Sequence, residues 1–518
     1  MAKKTLTAIA LLALFVTAVA GEEAKEIPLT LEDSIVRALK NNLNLAVEVF
    51  NPELADATLS RAKEAFLPSL DLNYDNQKSQ EPPYWFIQGA GTLTSKVTSY
   101  GASVIQRIPT GGNISVSLQG YKSDTNQAFQ LINPRYGSTL RFDFTQPLLR
   151  DFGPKVARRE ILVSRNNLDI SRSQLETTLM NTVYQVQEAY WSLVYAIEDL
   201  NVKKQSLQLA RDLLAKNKKE VEVGTLAPLE VLNAEAAVAQ READILQAEA
   251  LIRRGEDVLK SLVNPSAEGD MRALRLVPTD KPEFKPTVIS LDEALAQARE
   301  NRPDLAANRS TILNSRIDFS VARNQLLPKL DLKLSYWSPG ISGGRIIYLN
   351  DDPFLGVIIG TENGGGSNAF RDATKLLYKN WTVGLTLSVP VADVVGRANL
   401  ALARIALDQN TARLKNQEQQ ISLEVGDAVR SVETDAKRVD AYRIARELAG
   451  KRLEAETKKL GVGLTTNYFV LQYQEELANA RSRELQALVD YNLSLSRLER
   501  SVGSSLRTRN ITVADFNK

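Results

Sequence analysis

Any chemistry in this chain has to come from carboxylates, lysines, arginines and tyrosines, because it contains no His and no Cys. That absence removes zinc sites, thiolate nucleophiles, Ser-His-Asp triads and haem ligation through either residue. No acidic pair stands out from the helical surface charges as a general acid and base. Two short constellations do stand out. Val223-Gly224-Thr225 and Val462-Gly463-Leu464 each end a long helical pattern, the first followed by Pro228. Gly just past a helix end takes the left-handed conformation and Pro suits a first turn, so each reads as a sharp helix–helix tip. Beyond the tips, Glu230 with Asn233 and Phe469 with Gln472 are spaced i,i+3 and share a helix face. Their chemistry would be that of a passage: a ring of Glu230 carboxylates attracts cations, and a ring of Phe469 side chains excludes water. Each also has an ordinary reading, Glu230 as an acid complementing a helix N-terminus and Phe469 as a packing residue. Gly343-Gly344 and Gly364-Gly365-Gly366 lack a following Lys and a strand-to-helix setting, so they cradle no phosphate. They read as exposed loop over roughly 339–379. No cofactor or metal is expected.

The wider composition agrees. The 518 residues carry 64 Lys+Arg against 62 Asp+Glu, a formal charge of +2. This gives no bulk electrostatic reason to bind nucleic acid. Without Cys there is no disulfide framework and no lipid-anchored cysteine. Lys3 and Lys4, an apolar run Leu6 to Val19 and the small-x-small Ala18-Val19-Ala20 predict a signal peptide over 1–20. No other long uncharged apolar run follows, so any entry into a membrane has to be as β-strands.

The elements that must position the tips come in two copies. The segment 31–72 reappears without a gap at 291–332, ending in Leu67-Pro68-Ser69-Leu70-Asp71-Leu72 and Leu327-Pro328-Lys329-Leu330-Asp331-Leu332. Val223-Gly224 corresponds to Val462-Gly463, at a different offset. The predicted organisation is a first repeat over 21–264, a Pro-rich non-helical linker over 265–290, a second repeat over 291–503 and a tail over 504–518. Each repeat runs helix, strands, very long helix, tip, helix. Leu168, Leu175, Leu179, Val183, Val186, Tyr190 and Leu193 recur at spacings of three, four and seven, as do Leu414, Ile421, Val425, Val432 and Val439. Such a seam is that of a coiled coil. The long helices are expected over 155–223 and 391–460. The flanking helices, 31–66 with 229–263 and 291–326 with 469–503, match them in combined length, with a break in the first near Asn41-Asn42 and Pro52.

The strands alternate strictly. Leu70, Leu72 and Tyr74 alternate with Asp71, Asn73 and Asp75; Ile114, Val116 and Leu118 with Ser115, Ser117 and Gln119. Leu140, Phe142 and Phe144 repeat the pattern, as do Leu330 to Tyr336 and Val383 to Val389. Apolar-out, polar-in alternation is the mark of an outer-membrane barrel with a wet lumen, and half-buried strands of a soluble sandwich share it. Tyr84, Trp85, Phe86, Tyr336, Trp337, Tyr378 and Trp381 near strand ends fit an interfacial aromatic girdle.

Signal peptide, duplicated opening helix, Leu-Pro-x-Leu-x-Leu motif and Val-Gly tips together make this chain resemble the TolC-type outer-membrane efflux proteins over about residues 27–505. The resemblance implies an α+β membrane protein: a trimeric outer-membrane β-barrel continued by a long periplasmic α-helical coiled-coil barrel, with two structural repeats per protomer. It implies a non-enzymatic exit duct for small molecules or polypeptides in the outer membrane of a Gram-negative-type bacterium. The implied partners are two further copies, outer-membrane lipid, an inner-membrane transporter and a periplasmic adaptor. The adaptor would dock on the tips at Val223, Gly224, Thr225, Val462, Gly463 and Leu464. Two departures stand out. Strand-like runs at about 97–107 and 113–121, joined by Pro109-Thr110-Gly111-Gly112, exceed the family's usual two strands per repeat; they are expected to join the barrel. And where the family often has paired aspartates after the second tip, this chain has Phe469 and Gln472, so Phe469 is the expected seal and Glu230 secondary. The rival reading is an exported structural coiled-coil envelope protein without a conducting channel.

Overall fold

A computed structural model describes residues 25–85, 88–128, 130–265, 274–352, 354 and 356–511. The expected signal peptide, Phe86 and the last residues of the tail lie outside the described residues. In chain order the elements are β1 (Lys25–Leu29), α1 (Leu31–Asn41), α2 (Leu43–Glu64), β2 (Ser69–Glu81), β3 (Leu93–Arg107), β4 (Asn113–Thr125), β5 (Ile132–Pro147), α3 (Arg159–Glu222) and α4 (Pro228–Val263). There follow β6 (Leu274–Pro278), α5 (Leu291–Asn301), α6 (Pro303–Gln325), β7 (Lys329–Tyr348), β8 (Ile358–Asn363), α7 (Gly366–Thr374), β9 (Asn380–Ser388), α8 (Val394–Gly461) and α9 (Asn467–Val502). The described residues form two compact units that cut across the sequence repeats: one from those within 25–53, 170–308 and 413–511, the other from those within 54–169 and 309–412.

The first unit is helical and built on the seam. Leu175, Leu179, Val183, Val186, Tyr190 and Leu193 of α3 are fully buried, and Ile421, Val425, Val432 and Val439 of α8 are buried in the second copy's core. The stretch 265–290 is not simply linker. β6 pairs in parallel with β1, and Ile27, Leu29, Leu274 and Leu276 enter the first copy's core. Two tyrosines hold this connection to the helices. The buried Tyr190 hydroxyl bonds the Leu29 carbonyl at 3.1 Å and an Asp280 carboxylate oxygen at 3.0 Å, and the Tyr491 hydroxyl donates to the Lys285 carbonyl at 2.6 Å. Burial pushes the Tyr190 phenol up to about 12.

Both opening helices break one residue after Asn41 or Asn301. The second break was not expected, and its cause is Pro303, which disfavours helical backbone at Arg302. The first break falls at Asn42, while Pro52 sits inside α2. The two breaks are the same joint made with different residues. Asn42 Nδ2 donates to the Leu262 carbonyl at 3.2 Å, and Arg302 Nη1 donates to the corresponding Ser501 carbonyl at 3.1 Å. At the end of each return helix, Asn264 extends its side chain to the Asn41 carbonyl at 3.0 Å, whereas Gly503 brings bare backbone against Asn301. A Cβ on Gly503 would meet Asn301 backbone at 3.0 Å.

The second unit carries a seven-stranded sheet in the order β2-β3-β4-β5-β7-β8, with β9 also on β7. β7 is long enough for two partners: Lys329–Trp337 pair with β9 and Gly344–Tyr348 with β8. The β3–β4 hairpin is a continuous part of this sheet, antiparallel to β2 on one side and β5 on the other. The stretch 339–379, expected as loop, instead contains the end of β7, β8 and α7.

The Arg302 joint generates a stability prediction. Its guanidinium bonds Asp304 at 2.8 and 3.1 Å and Glu424 at 2.7 Å. Burial pulls the Asp304 carboxyl upward, but the hydrogen bonds and charge of Arg302 outweigh it and leave its pKa below the ordinary aspartate value. A depressed carboxylate stabilises the fold above the unfolded-state pKa, and that contribution is lost as pH falls through the lower folded value. Asp304→Asn should therefore cost about 1–3 kcal/mol at neutral pH. In thermal unfolding across pH, the gap between wild type and variant should close only below pH of about 4.

Candidate functional site

Two places in the molecule have the form of working surfaces. The first is the sheet. Facing residues across antiparallel strands lie on the same side. Register therefore places Leu70, Leu72 and Tyr74 of β2 beside Val104, Ala102 and Tyr100 of β3, and these beside Val116, Leu118 and Gly120 of β4. The line continues through Phe144, Phe142 and Leu140 of β5, Leu334 and Tyr336 of β7, and Val383 and Trp381 of β9. One face of six strands is thus apolar at one level. Much of it lies open, with Leu72 74 % and Trp381 71 % exposed. The opposite face bears Asp71, Asn73, Ser115, Ser117, Arg141, Asp143, Lys333 and Ser335. There Arg141 and Asp143 pair at 2.9 Å, and the Ser335 hydroxyl donates to Asp143 at 2.6 Å. Trp337, expected in the aromatic girdle, falls on this polar face beneath the Arg141 guanidinium; Tyr336 and Trp381 fall together on the apolar one. An open apolar belt of this extent suits hydrocarbon, not water. Among the described residues no helix is long and apolar enough to cross a membrane.

The second place is the pair of helix tips. Gly224 and Gly463 have φ of 77° and 76°, and the following N–H groups, of Thr225 and Leu464, bond back to the Glu220 and Lys459 carbonyls at 2.9 and 3.0 Å. These bonds occupy carbonyls that the helix end would leave without partners. Nothing lies within 4 Å of either glycine's missing Cβ, so the tips are open. Val223, Val462 and Leu464 are exposed apolar side chains there, and Thr225 is exposed with its hydroxyl on the Glu220 carbonyl.

The four residues read as a possible gate do not gather at one point. Asn233 and Gln472 line a single cleft of about 340 Å³ between α4 and α9, with Tyr468, Arg241, Asp244 and Glu475. Glu230 and Phe469 are not among its lining. The Glu230 side chain is half-buried, with one carboxylate oxygen buried and unpartnered, and its carbonyl accepts from the buried Asn217 amide at 3.3 Å. Phe469 is 43 % exposed and meets Tyr468 edge to face at 5.5 Å. Gln472 is exposed and donates to Glu476 at 3.2 Å.

Sequence reasoning missed the residue that ties the two hairpins together. Arg241 is buried, and its guanidinium donates to the Ser206 carbonyl at 2.8 Å, the Gln474 side chain at 3.1 Å and the Leu471 carbonyl at 3.2 Å. It thereby links α3 and α4 of one hairpin to α9 of the other, beside a small apolar core of Ala210, Leu213, Ala234, Val470 and Leu471. Burial pulls its pKa down, while the charges of Glu475 and Asp244 pull it back up. The signal was available. Arg241 stands seven residues from both Ala234 and Ala248, each buried, and so occupies the seam itself. A polar group at a seam position sets register and partner choice at some cost in stability.

The family model described as outer membrane efflux protein matches residues 113–264 and 294–504. Among curated protein sequences no significant match is found. Several solved structures resemble the chain along nearly its whole length. A membrane protein from Pseudomonas aeruginosa is 17 % identical with a TM-score of 0.66, over 91 % of this chain and 93 % of that one. The Campylobacter jejuni CmeC outer membrane channel is 18 % identical with a TM-score of 0.63, over 92 % and 86 %. The outer membrane protein VceC of Vibrio cholerae is 17 % identical with a TM-score of 0.63, over 91 % and 96 %. At such identities the likeness shows the fold. The family match spans well over half the chain and covers the first repeat from β4 onward, nearly all of the second, the belt strands β4, β5, β7 and β9, and both tips. The chain therefore belongs to the outer membrane efflux protein family, a non-enzymatic exit duct of the outer membrane that extends into the periplasm.

Proposed function

We propose that three copies of this chain close one duct, docked at the tips by a periplasmic adaptor and energised by an inner-membrane transporter, for export of small molecules or polypeptides. The observation that carries this reading is the open edge on each side of the belt. β2 and β9 both contribute to the apolar face, yet among the described residues each has a neighbour on one side only. A row of unpaired amides in hydrocarbon costs several kcal/mol per group, so the edges must be joined. β2 runs away from the helix-joined end of the sheet and β9 runs back toward it, so β2 of one copy can pair antiparallel with β9 of the next. Six belt strands per copy keep the alternation intact around a threefold ring of eighteen. An envelope scaffold without a lumen has no use for such a belt.

The ends of the duct have different tasks. At the tips, exposed Val223, Val462 and Leu464 around two glycines offer small, apolar, close-approach surfaces for an adaptor's helices. In the neck, Phe469 is the proposed seal, because it is an exposed aromatic where an acidic ring would otherwise attract cations. Glu230 is secondary, since one of its carboxylate oxygens is already buried. Asn233 and Gln472 belong to the cleft at Arg241, where they bear on how the hairpins part.

Three outcomes are expected. Gly224→Val combined with Gly463→Val should cost about 1 kcal/mol or more per tip at left-handed backbone, and should abolish export while a detergent-stable trimer still forms; full export would remove the docking role. Phe469→Ala should raise single-channel conductance in planar bilayers and admit bulky antibiotics, whereas Glu230→Gln should alter mainly cation selectivity; unchanged conductance in Phe469→Ala would make it a packing residue. Deleting residues 90–127 leaves β2 and β5, which run in opposite directions, to pair antiparallel and should yield a barrel of twelve strands. Barrel diameter grows with strand number, so conductance in the Phe469→Ala background should fall to about half. Equal conductance, or a folded monomer by mass in detergent, would overturn the eighteen-strand assembly.

A further inference from the structure

The apolar belt ends in aromatics on the side away from the helices. Tyr74 faces Tyr100, and Tyr336 faces Trp381. Beyond them, on the same face, the side chains turn basic. Lys78 of β2 stands directly opposite Lys96 of β3, and Lys122 of β4 stands opposite Thr98 and Tyr136, with its ammonium 5.7 Å from the Tyr136 ring centroid. All three lysines are exposed. Four residues separate Tyr74 from Lys78 and Tyr100 from Lys96, a rise of about 13 Å along the strand. At the usual barrel tilt this is about 10 Å along the membrane normal. The headgroup layer beyond the hydrocarbon edge is about 5–8 Å deep, so a step of that length carries the lysines to the headgroups.

Helix α7 continues the same level. It lies on the apolar side of the sheet, over Ser138, Ser338 and Gly340, the small residues next to Leu140 and Tyr336 on the side away from the helices. A Cβ on Gly340 would meet the Ala369 carbonyl at 2.0 Å, so the helix rests on bare backbone. Ala369 and Ala373 face the sheet, buried, while Phe370, Arg371 and Lys375 are exposed. Short amphipathic helices with an aromatic and cations on the open side lie at membrane interfaces.

We propose that Lys78, Lys96, Lys122, Arg371 and Lys375 form a collar that binds phosphate-bearing lipid headgroups of the outer leaflet. The inference rests on the belt facing lipid. Like charges directly opposite on one sheet face repel, and Lys78 facing Lys96 is relieved by an anion lying between them. Asp124, opposite Lys96 on its other side, and Asp372 on α7 are the acids at this level, and they leave the collar net positive. None of the five cations makes an ion pair among the described residues. The collar continues the lipid-facing belt without interruption, so the anion it meets is membrane-anchored. Basic clusters at a membrane surface attract anionic lipid in this way.

The test uses the full-length protein in nanodiscs of phosphatidylcholine containing about one-third phosphatidylglycerol, near physiological membrane charge. Native mass spectrometry reads how many phosphatidylglycerol molecules stay with each assembly as detergent is raised. Wild type should retain phosphatidylglycerol over phosphatidylcholine, and 0.5 M NaCl should weaken the preference. K78Q/K96Q/K122Q/R371Q/K375Q should lose the preference at least fivefold while keeping its conductance, and K78R/K96R/K122R should keep both. Equal retention by wild type and the glutamine variant, with both inserted and conducting, would overturn the collar alone. Wild type that fails to enter the discs would overturn the lipid-facing belt and the collar together.

Discussion

A backbone amide in hydrocarbon has no water to bond, and the rest of this molecule follows from that constraint. No described helix is apolar enough to satisfy its own backbone while crossing a membrane. The strands do so only as a set. Register makes the set work: because directly opposite residues share a face, a shift of one residue anywhere between β2 and β9 would turn a strand's leucines toward the polar side. The observed pairings keep apolar residues on one face and Asp71, Ser117, Asp143 and Lys333 on the other through five successive interfaces. The added β3–β4 hairpin obeys the same register, which is why it is continuous with the rest of the sheet.

The helical unit meets a different requirement, that of holding two hairpins together without making them one solid core. Large apolar residues fill the seams of α3 and α8, but near the tips the packing thins to alanines, a few leucines and valines, and Arg241. A buried guanidinium that bonds two carbonyls and a glutamine is costly to desolvate and is satisfied in one arrangement of its neighbours. Apolar contacts tolerate sliding; this set of hydrogen bonds does not. Arg241 therefore acts as a register pin where α3 and α4 meet α9.

Duplication supplied the plan, and divergence altered its joints one residue at a time. Asn42 and Arg302 reach the same carbonyl of their return helices with an amide in one copy and a guanidinium in the other. The exchange brings in Asp304 and Glu424 as partners that the first copy lacks. At the neighbouring contact, the Asn264 side chain and bare Gly503 are alternative ways of closing a return helix on the opening helix. Equivalent positions thus share geometry without sharing chemistry, as Glu230 and Phe469 do beyond the tips.

What the sequence determined by itself is what local spacing encodes. Helical period named the seams, dyad alternation named the strands, and Gly224 and Gly463 named the tips, because a turn at positive φ needs glycine wherever it occurs. The duplicated order was enough to place the family. Tertiary structure decided what depends on distant neighbours. A strand's alternation does not say which strand lies beside it, so the place of the hairpin between β2 and β5 came only with pairing. Spacing put Glu230 with Asn233 and Phe469 with Gln472, yet packing gathered Asn233 and Gln472 at one cleft and left the other two outside it, because lining is set by how α4 and α9 face each other. The glycine-rich stretch read as loop, and it became α7 because Ser138, Ser338 and Gly340 leave a shelf on the sheet that only the folded strands bring together.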